Sequence, residues 1–166
     1  MRKALIILGD LDDRDIGWLA RSGVVRTLAA GERLIDAGRD IDHLYFVTDG
    51  KLRVTAPGGV QLAILETGEV VGEMSFVGKR KPTANVTALT DSRVLAIPRA
   101  TMIAEFALDN GMAMRFYHAL AVFLSDRLQA MNGEGDTDLD DSILDNLTLA
   151  GDRFLRLIAR LERRNS

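Results

Sequence analysis

The chain has 166 residues, enough for one domain with an appendage, and its 47% hydrophobic and 27% charged residues are typical of a globular protein. A net charge of −3 argues against a general nucleic-acid binder, which needs a basic face, and the absence of cysteine excludes disulfides and thiolate metal sites. The first apolar run stops at Gly9, too early for a signal peptide, and no run approaches the ~18 apolar residues that span a bilayer. We therefore expect a cytoplasmic protein with no membrane partner.

Residues 6–19 are predicted to form a short entry helix. Either Asp10 or Asp12 can cap this helix, and Trp18 is expected to pack in the core. The other apolar side chains fall at helical spacing and can share one face, namely Leu11, Ile16 and Leu19.

Between residues 24 and 98, short β-rich runs alternate with turn residues at spacings of roughly 8–12 residues, which is typical of a sandwich or barrel. Asp49-Gly50 predicts a two-residue hairpin, and residues 56–60 predict a looser hairpin tip. We therefore predict a mainly β fold with flanking helices. The predicted strands are Val24–Leu28, Arg33–Ile35, Leu44–Thr48, Leu52–Ala56, Gln61–Leu65, Val70–Val71, Asn85–Ala88 and Val94–Ile97.

After Pro98 the apolar residues follow a helical period. Residues 101–108 predict a short helix, and Asp109 or Asn110 can cap a longer helix that ends near residue 131. One apolar face of the longer helix is predicted to contain Met112, Phe116, Leu120, Phe123, Leu124 and Leu128.

An acidic, glycine-bearing linker is predicted for residues 132–141, and an amphipathic helix for residues 142–163. We accordingly divide the chain into a domain of residues 1–131, this linker and a C-terminal helix within residues 142–166. An isolated helix of this length is marginal in water, so we expect it to dock on the β-rich domain as a lid, on a second copy or on another protein. Its apolar seam, spaced as in a coiled coil, is Ile143, Leu147, Ala150, Phe154, Leu157 and Leu161.

A cationic edge follows the apolar seam of the C-terminal helix. Two interpretations stay open, a solvated face partly neutralised by the acidic linker and a specific anion site. The edge consists of Arg153, Arg156, Arg160 and Arg163.

The stretch from Val70 to Ala88 predicts an anion-binding turn. An apolar strand leads into Gly72, where the backbone can approach a ligand closely, and Glu73 follows at once. Three consecutive cations at residues 79–81 come before Pro82. Free N–H groups at a helical turn bind phosphate-like groups, and a nearby carboxylate accepts hydroxyl donors.

Residues 72–76 (Gly-Glu-Met-Ser-Phe) and 84–88 (Ala-Asn-Val-Thr-Ala) resemble the phosphate-binding cassette of cyclic nucleotide-binding domains. The likeness extends over about residues 11–131 and includes the glycines at 31, 38, 50, 68 and 72. It implies an eight-stranded β-roll of jelly-roll topology, as in catabolite activators, with a short N-terminal helix and two to three C-terminal helices. About 35 residues with one predicted helix follow the long helix, too few for a helix-turn-helix, so we expect a stand-alone bacterial type that does not bind DNA.

The resemblance assigns roles to residues of the cassette. It implies that Glu73 accepts a ribose hydroxyl, whereas the residues alone also allow a turn carboxylate paired with Arg80 or Lys81. The backbone N–H groups of Gly72, Met74 and Ser75 would bind the phosphate, and the Ser75 hydroxyl could add a contact. Asn85 can donate to a phosphate oxygen or serve as a strand-edge amide. The predicted ligand-binding residues are Val71, Gly72, Glu73, Met74, Ser75, Arg80, Lys81, Pro82, Thr83, Ala84, Asn85 and Val86.

Pro82 departs from the family pattern. The family has an arginine directly before the small residues of the cassette, and that arginine pairs with the cyclic phosphate. Counting back from Ala84, this position is Pro82, which carries neither charge nor donor. We therefore expect the binding of cyclic AMP or cyclic GMP to be weak, altered or absent unless Arg80 or Lys81 substitutes.

Catalytic motifs are missing from the sequence, which contains neither a nucleophile elbow nor a Walker loop nor a dinucleotide fingerprint. The two histidines, His43 and His118, lie far apart in the sequence, and each is expected to be a surface or packing residue. We predict that the protein is not an enzyme and holds neither a metal nor a resident cofactor.

Two functions remain open at this point. One is a regulatory module that binds a cyclic nucleotide or other small anion and relays occupancy through its C-terminal helices to a separate effector protein. The other is a degenerate scaffold that binds no nucleotide and uses its helices for association. A homodimer through residues 112–131 or 143–161 is compatible with both.

Overall fold

The computed structural model describes residues 7–131 and 141–164. The strands are β1 (Val24–Leu28), β2 (Arg33–Ile35), β3 (His43–Asp49), β4 (Lys51–Thr55), β5 (Gln61–Glu66), β6 (Val70–Val71), β7 (Asn85–Ala88) and β8 (Ser92–Pro98). The helices are α1 (Asp13–Ser22), α2 (Glu73–Gly78), α3 (Arg99–Leu108), α4 (Asn110–Met131) and α5 (Asp141–Arg164), and residues 7–10 also have helical backbone. The predicted mainly β fold with flanking helices is therefore confirmed.

The chain divides into two compact units. Residues 22–103 form a β unit. The residues before 22 and those from 104 onward together form a helical unit. Neither unit, in the residues the structure describes, has a helix both long and apolar enough to cross a bilayer. The predicted division at residues 131 and 141 stays a prediction, because residues 132–140 lie outside the described ranges.

Two four-stranded antiparallel sheets form the β unit, with strand orders β1-β8-β3-β6 and β2-β7-β4-β5. Side chains from both sheets meet in one apolar cluster, as expected when alternate residues of each strand face inward. The cluster contains Leu28, Leu34, Ile35, Tyr45, Val47, Leu52, Leu65, Val71, Val86, Ala88, Val94 and Ala96.

One predicted turn connects different elements from those we expected. Asp49-Gly50 does not close a hairpin, because β3 and β4 lie in different sheets, and Gly50 with φ 86° turns the chain from one sheet to the other. The looser tip at residues 56–60 is confirmed. It joins the paired strands β4 and β5, and the Ala56 N–H donates to the Val60 carbonyl at 2.8 Å.

The N-terminal helix starts later than predicted, because Asp12 forms a reciprocal cap. Its Oδ1 accepts the N–H groups of Arg14 and Asp15 at 2.8 and 2.9 Å, while Asp15 Oδ2 accepts the Asp12 N–H at 2.9 Å. This capping box separates residues 7–10 from α1, so the single helix predicted over residues 6–19 is wrong. Trp18 is half-buried and not a core residue. The predicted buried face is confirmed for Leu11, Ile16 and Leu19.

Asp109 caps α4, because its Oδ1 accepts the Met112 N–H at 2.9 Å. The predicted apolar face is buried as far as Phe123, but it does not continue along the helix, since Leu128 is 61% exposed. The buried members of that face are Met112, Phe116, Leu120 and Phe123.

Helix α5 docks on the N-terminal segment of its own chain, a surface that none of the three predicted alternatives included. Arg153 donates to the carbonyls of Leu8 and Gly9, and Arg156 pairs with Asp13 at 3.0 Å. Arg153 and Arg156 of the cationic edge therefore contact this segment, whereas residues 132–140 of the acidic linker lie outside the described residues, so its interpretation stays a prediction. Seam residues Ala150, Leu157 and Leu161 are buried, Phe154 is half-buried, and the side chains of Ile143 and Leu147 lie outside the described part.

Candidate anion-binding cassette

The candidate site begins where β6 meets α2. Gly72 adopts φ 98°, a left-handed conformation that favours glycine, and no side chain caps α2 there. A Cβ added at Gly72 would lie 3.0 Å from the carbonyl oxygen of His43, so the neighbouring strand also leaves little room for one. The Phe76 N–H donates to the Gly72 carbonyl at 3.0 Å and closes the first turn. In an α-helix, the N–H groups that precede the first such bond point toward the open end of the helix.

Two polar side chains of this turn are shielded from solvent. Glu73 and Ser75 are each only 7% exposed, whereas Met74 between them points outward. Burial of a carboxylate is costly unless it is hydrogen-bonded or paired, and Glu73 does interact with other described residues. The geometry thus gives a carboxylate acceptor and a hydroxyl next to the N–H groups of one turn.

The three cations after α2 point into solvent. Lys79 ends α2 with φ 49°, and its N–H donates to the Ser75 carbonyl at 3.1 Å. Lys81 Nζ lies 3.9 Å from a carboxylate oxygen of Asp40, and Arg80 is exposed. An exposed ion pair of this kind contributes little to stability. The cations are thus available at the surface, and neither Arg80 nor Lys81 is buried.

Segment 82–85 is tied to the loop that follows β2. The Gly38 N–H donates to the Pro82 carbonyl at 2.8 Å, and the Ala37 N–H donates to Asn85 Oδ1 at 2.9 Å. The oxygen of the Asn85 amide is therefore used within the fold, and its nitrogen is the end that could donate to a phosphate. The sequence marked Gly38 only as a turn residue, so this tie was not predicted.

The remaining predicted site residues divide between core and surface. Val71 and Val86 belong to the apolar cluster of the β unit, so only their backbone can take part in binding. Ala84 is half-buried and Thr83 is exposed. The structure therefore holds the residues around Gly72 in one buried polar turn, whereas the cations and Thr83 lie outside it. The described residues contain no group of three or more His, Asp or Glu side chains suited to a metal ion.

Arg99 contacts the cassette helix and was not predicted as a site residue. Its guanidinium carbon lies 5.6 Å from the centre of the Phe76 ring, and its backbone N–H donates to the Asp42 carbonyl at 2.7 Å. The Arg99 Nε is buried and has no hydrogen-bond partner among the described residues. Arg99 is the first residue of α3, so the contact joins α2 to the beginning of α3. The only feature of the sequence that could have drawn attention to Arg99 is its position directly after Pro98.

Residues 25–109, just over half of the chain, match the sequence profile of the Cyclic nucleotide-binding domain. The chain belongs to this family. The resemblance inferred from the cassette and the β-roll that it implied are both confirmed. The place of Pro82 in the family pattern stays a prediction.

Solved structures and curated relatives agree with this assignment. The N-terminal domain of a transcriptional regulator from Streptomyces coelicolor A3(2) is 31% identical, with a TM-score of 0.65 over 83% of this chain and 99% of that one. The catabolite activator protein of Thermus thermophilus shares the fold at 22% identity, with a TM-score of 0.66 over 96% of this chain and 88% of its own.

Glutaminase 2 of Bradyrhizobium diazoefficiens is 32% identical over 130 residues, which is 78% of this chain but 21% of that protein. The chain therefore spans about a fifth of the length of this curated relative.

Proposed function

We propose that the protein is a regulatory module whose cassette binds a cyclic nucleotide-type ligand and relays occupancy through α3–α5 to a separate effector protein. The observation that carries the proposal is the turn at Gly72, which combines a positive φ, the start of a helix and two shielded polar side chains in a member of this family. The ligand-binding residues, the effector and a cytoplasmic location are all part of the proposal. No catalysis is assigned to the domain.

The affinity for cyclic AMP and cyclic GMP is proposed to be low. Loss of one partner of a buried, hydrogen-bonded charge pair costs about 2–5 kcal/mol. At about 1.4 kcal/mol per tenfold change, this corresponds to roughly 30- to several-thousand-fold in the dissociation constant. Pro82 cannot supply the missing pair, and the exposed Arg80 and Lys81 would have to move to do so.

Arg99 supports a relay that starts at the cassette. A ligand changes a protein only through differential contacts with two states, so the cassette needs a physical link to the element that moves. The Phe76–Arg99 contact is such a link, because Phe76 belongs to α2 and Arg99 opens α3. We propose that occupancy of the Gly72 turn shifts α2 and that Arg99 passes the shift to α3.

The alternative is a scaffold that keeps the fold and binds no nucleotide. Pro82 favours it, as do the exposed apolar residues Met114, Tyr117 and Leu128 on α4. If a homodimer forms, we propose residues 112–131 for its interface in preference to 143–161, because the described seam residues of α5 are already largely buried.

Calorimetric titration with cyclic AMP and cyclic GMP, together with thermal shift at millimolar ligand, tests the proposal. A ligand at 100 times its dissociation constant adds about 2.7 kcal/mol of apparent stability, which such a scan detects easily. We expect binding in the high-micromolar to millimolar range. No shift with either nucleotide would favour the scaffold, and sub-micromolar affinity would show that the loss of the arginine had been weighted too heavily.

A further inference from the structure

A second candidate site lies within the helical unit, in a groove between α1 and α5. Its volume is about 620 Å³, within the ~300–1,000 Å³ typical of small-molecule sites. Neither the family match nor the proposed cassette function assigns a role to this groove. It is lined by Asp13, Arg14, Gly17, Ala20, Arg21, Arg160 and Arg164.

The lining has a clear excess of positive charge. It contains four arginines and one carboxylate, that of Asp13. Asp13 already pairs with two other arginines, Arg156 at 3.0 Å and Arg153 at 3.9 Å. Its charge is therefore largely compensated from outside the groove. Arg14, whose side chain is 83% exposed, lies 3.7 Å from Asp12 and can turn toward a ligand at little cost.

Two of the guanidinium groups converge on Gly17, in the middle of α1. A Cβ added at Gly17 would lie 2.6 Å from Arg160 Nη1 and 3.1 Å from Arg21 Nη1. Within residues 7–131 and 141–164, neither of these two arginines forms an ion pair, and Arg160 only donates to the Asp13 carbonyl at 3.4 Å. Like charges that lie this close repel each other, and an anion bound between them would relieve that repulsion.

Glycine in a helix interior is unfavourable compared with alanine. At position 17 its missing side chain is what leaves space for the two guanidinium groups. We propose that this groove binds the phosphate group of a small phosphorylated molecule, with Arg21 and Arg160 as its principal ligands. Guanidinium groups present paired N–H donors that match phosphate oxygens, and two of them balance a dianion.

Titration of the full chain with inorganic pyrophosphate in low-salt, phosphate-free buffer tests the proposal, with sulfate as the control anion. We expect the wild type to bind pyrophosphate at least tenfold more tightly than sulfate. Arg21→Gln and Arg160→Gln should each weaken binding at least tenfold. Arg163→Gln is the matched control, because Arg163 is an exposed arginine of the same helix that does not line the groove.

Gly17→Ala separates loss of the site from loss of the fold. The added methyl group meets only the ends of two flexible side chains, so the melting temperature should be unchanged or raised, while pyrophosphate affinity falls at least tenfold. Glu73→Gln, in the cassette, should bind pyrophosphate like the wild type, so failure of the cassette proposal and failure of this one are distinguishable. Absence of pyrophosphate binding, unchanged binding in Gly17→Ala, or an equal loss in Arg163→Gln would each overturn the proposal.

Discussion

Arg115 holds the carboxylate of Asp15 through two parallel hydrogen bonds, Nε to Oδ2 at 2.7 Å and Nη2 to Oδ1 at 2.9 Å. The two residues are 100 positions apart in the sequence, and Asp15 is 2% exposed. The hydrogen bond and the charge of Asp15 raise the pKa of Arg115, against the effect of burial. This bidentate ion pair links α1 to α4 within the helical unit.

We expect Arg115→Met to destabilise the protein by about 3–5 kcal/mol, because it leaves the Asp15 carboxylate buried and unpaired. Urea unfolding at pH 7 measures the loss. The double variant Asp15→Asn with Arg115→Met should recover part of the stability, since the buried charge is gone. A loss below about 1 kcal/mol in the single variant would show that Asp15 is compensated in another way.

The lowered pKa of Asp12 predicts that acid destabilises the helical unit. Burial raises the pKa of Asp12, but the backbone N–H of Asp15 and the charge of Arg115 outweigh it, so the net pKa lies below the ordinary value of 3.8. A lowered pKa in the folded state stabilises the fold above the ordinary pKa, and that contribution is lost as the pH falls through the folded value. The free energy of unfolding should therefore decline below about pH 4.

The variant Asp12→Asn tests this assignment. It cannot lose a proton, so it should be less stable than the wild type at pH 7 and show a shallower decline between pH 4 and pH 2. Asp40→Asn is a suitable control, because Asp40 is an exposed carboxylate 3.9 Å from Lys81. Equal pH profiles for wild type and Asp12→Asn would contradict the prediction.

Pro82→Arg should restore the missing phosphate partner. We expect affinity for cyclic AMP or cyclic GMP to rise by roughly 30-fold or more, the gain that a hydrogen-bonded charge pair of about 2 kcal/mol or more confers. Calorimetric titration measures it, with Thr83→Arg, one position along, as the control for added charge alone. If Pro82→Arg and Thr83→Arg raise the affinity equally, the gain comes from the added charge alone. The alignment that places the family arginine at position 82 would then be wrong.

Gly72→Ala should distort the turn on which the cassette depends. The substitution forces a side chain into a φ of 98° and within 3.0 Å of the His43 carbonyl oxygen, so we expect a loss of about 1–3 kcal/mol together with weaker ligand binding. Gly59→Ala is the matched control, because Gly59 has φ 88° but nothing within 4 Å of an added Cβ. If thermal unfolding shows a similar loss of stability in Gly72→Ala and Gly59→Ala, the short distance between position 72 and the His43 carbonyl oxygen is unimportant.

Arg99→Gln should uncouple the cassette from the C-terminal helices. Ligand affinity should change less than threefold, whereas ligand-induced changes in hydrogen exchange along α3 and α4 should largely disappear. Arg93→Gln is the control, because Arg93 is an exposed residue of β8, 3.5 Å from Asp49. An undiminished exchange response in Arg99→Gln would remove Arg99 from the relay.

The sequence predicted the β unit closely because its information there is local. Glycines that need a positive φ, such as Gly31, Gly38 and Gly68, mark the turns, and β-branched runs between them mark the strands. The hairpin predicted at Asp49-Gly50 is wrong, because the same local residues form hairpins within a sheet and turns between sheets. The sequence could not place α5 or identify Arg99, because both depend on residues distant in the sequence.

The contact between Arg153 and the carbonyls of Leu8 and Gly9 limits the order in which parts of the fold can form during synthesis. Its two sides are separated by 145 and 144 positions, with all eight strands between them. During translation, α4 can pair with α1 through Arg115 and Asp15 before α5 is synthesised, whereas the contact of Arg153 must wait for α5. The helical unit is therefore completed only after all eight strands of the β unit have been synthesised.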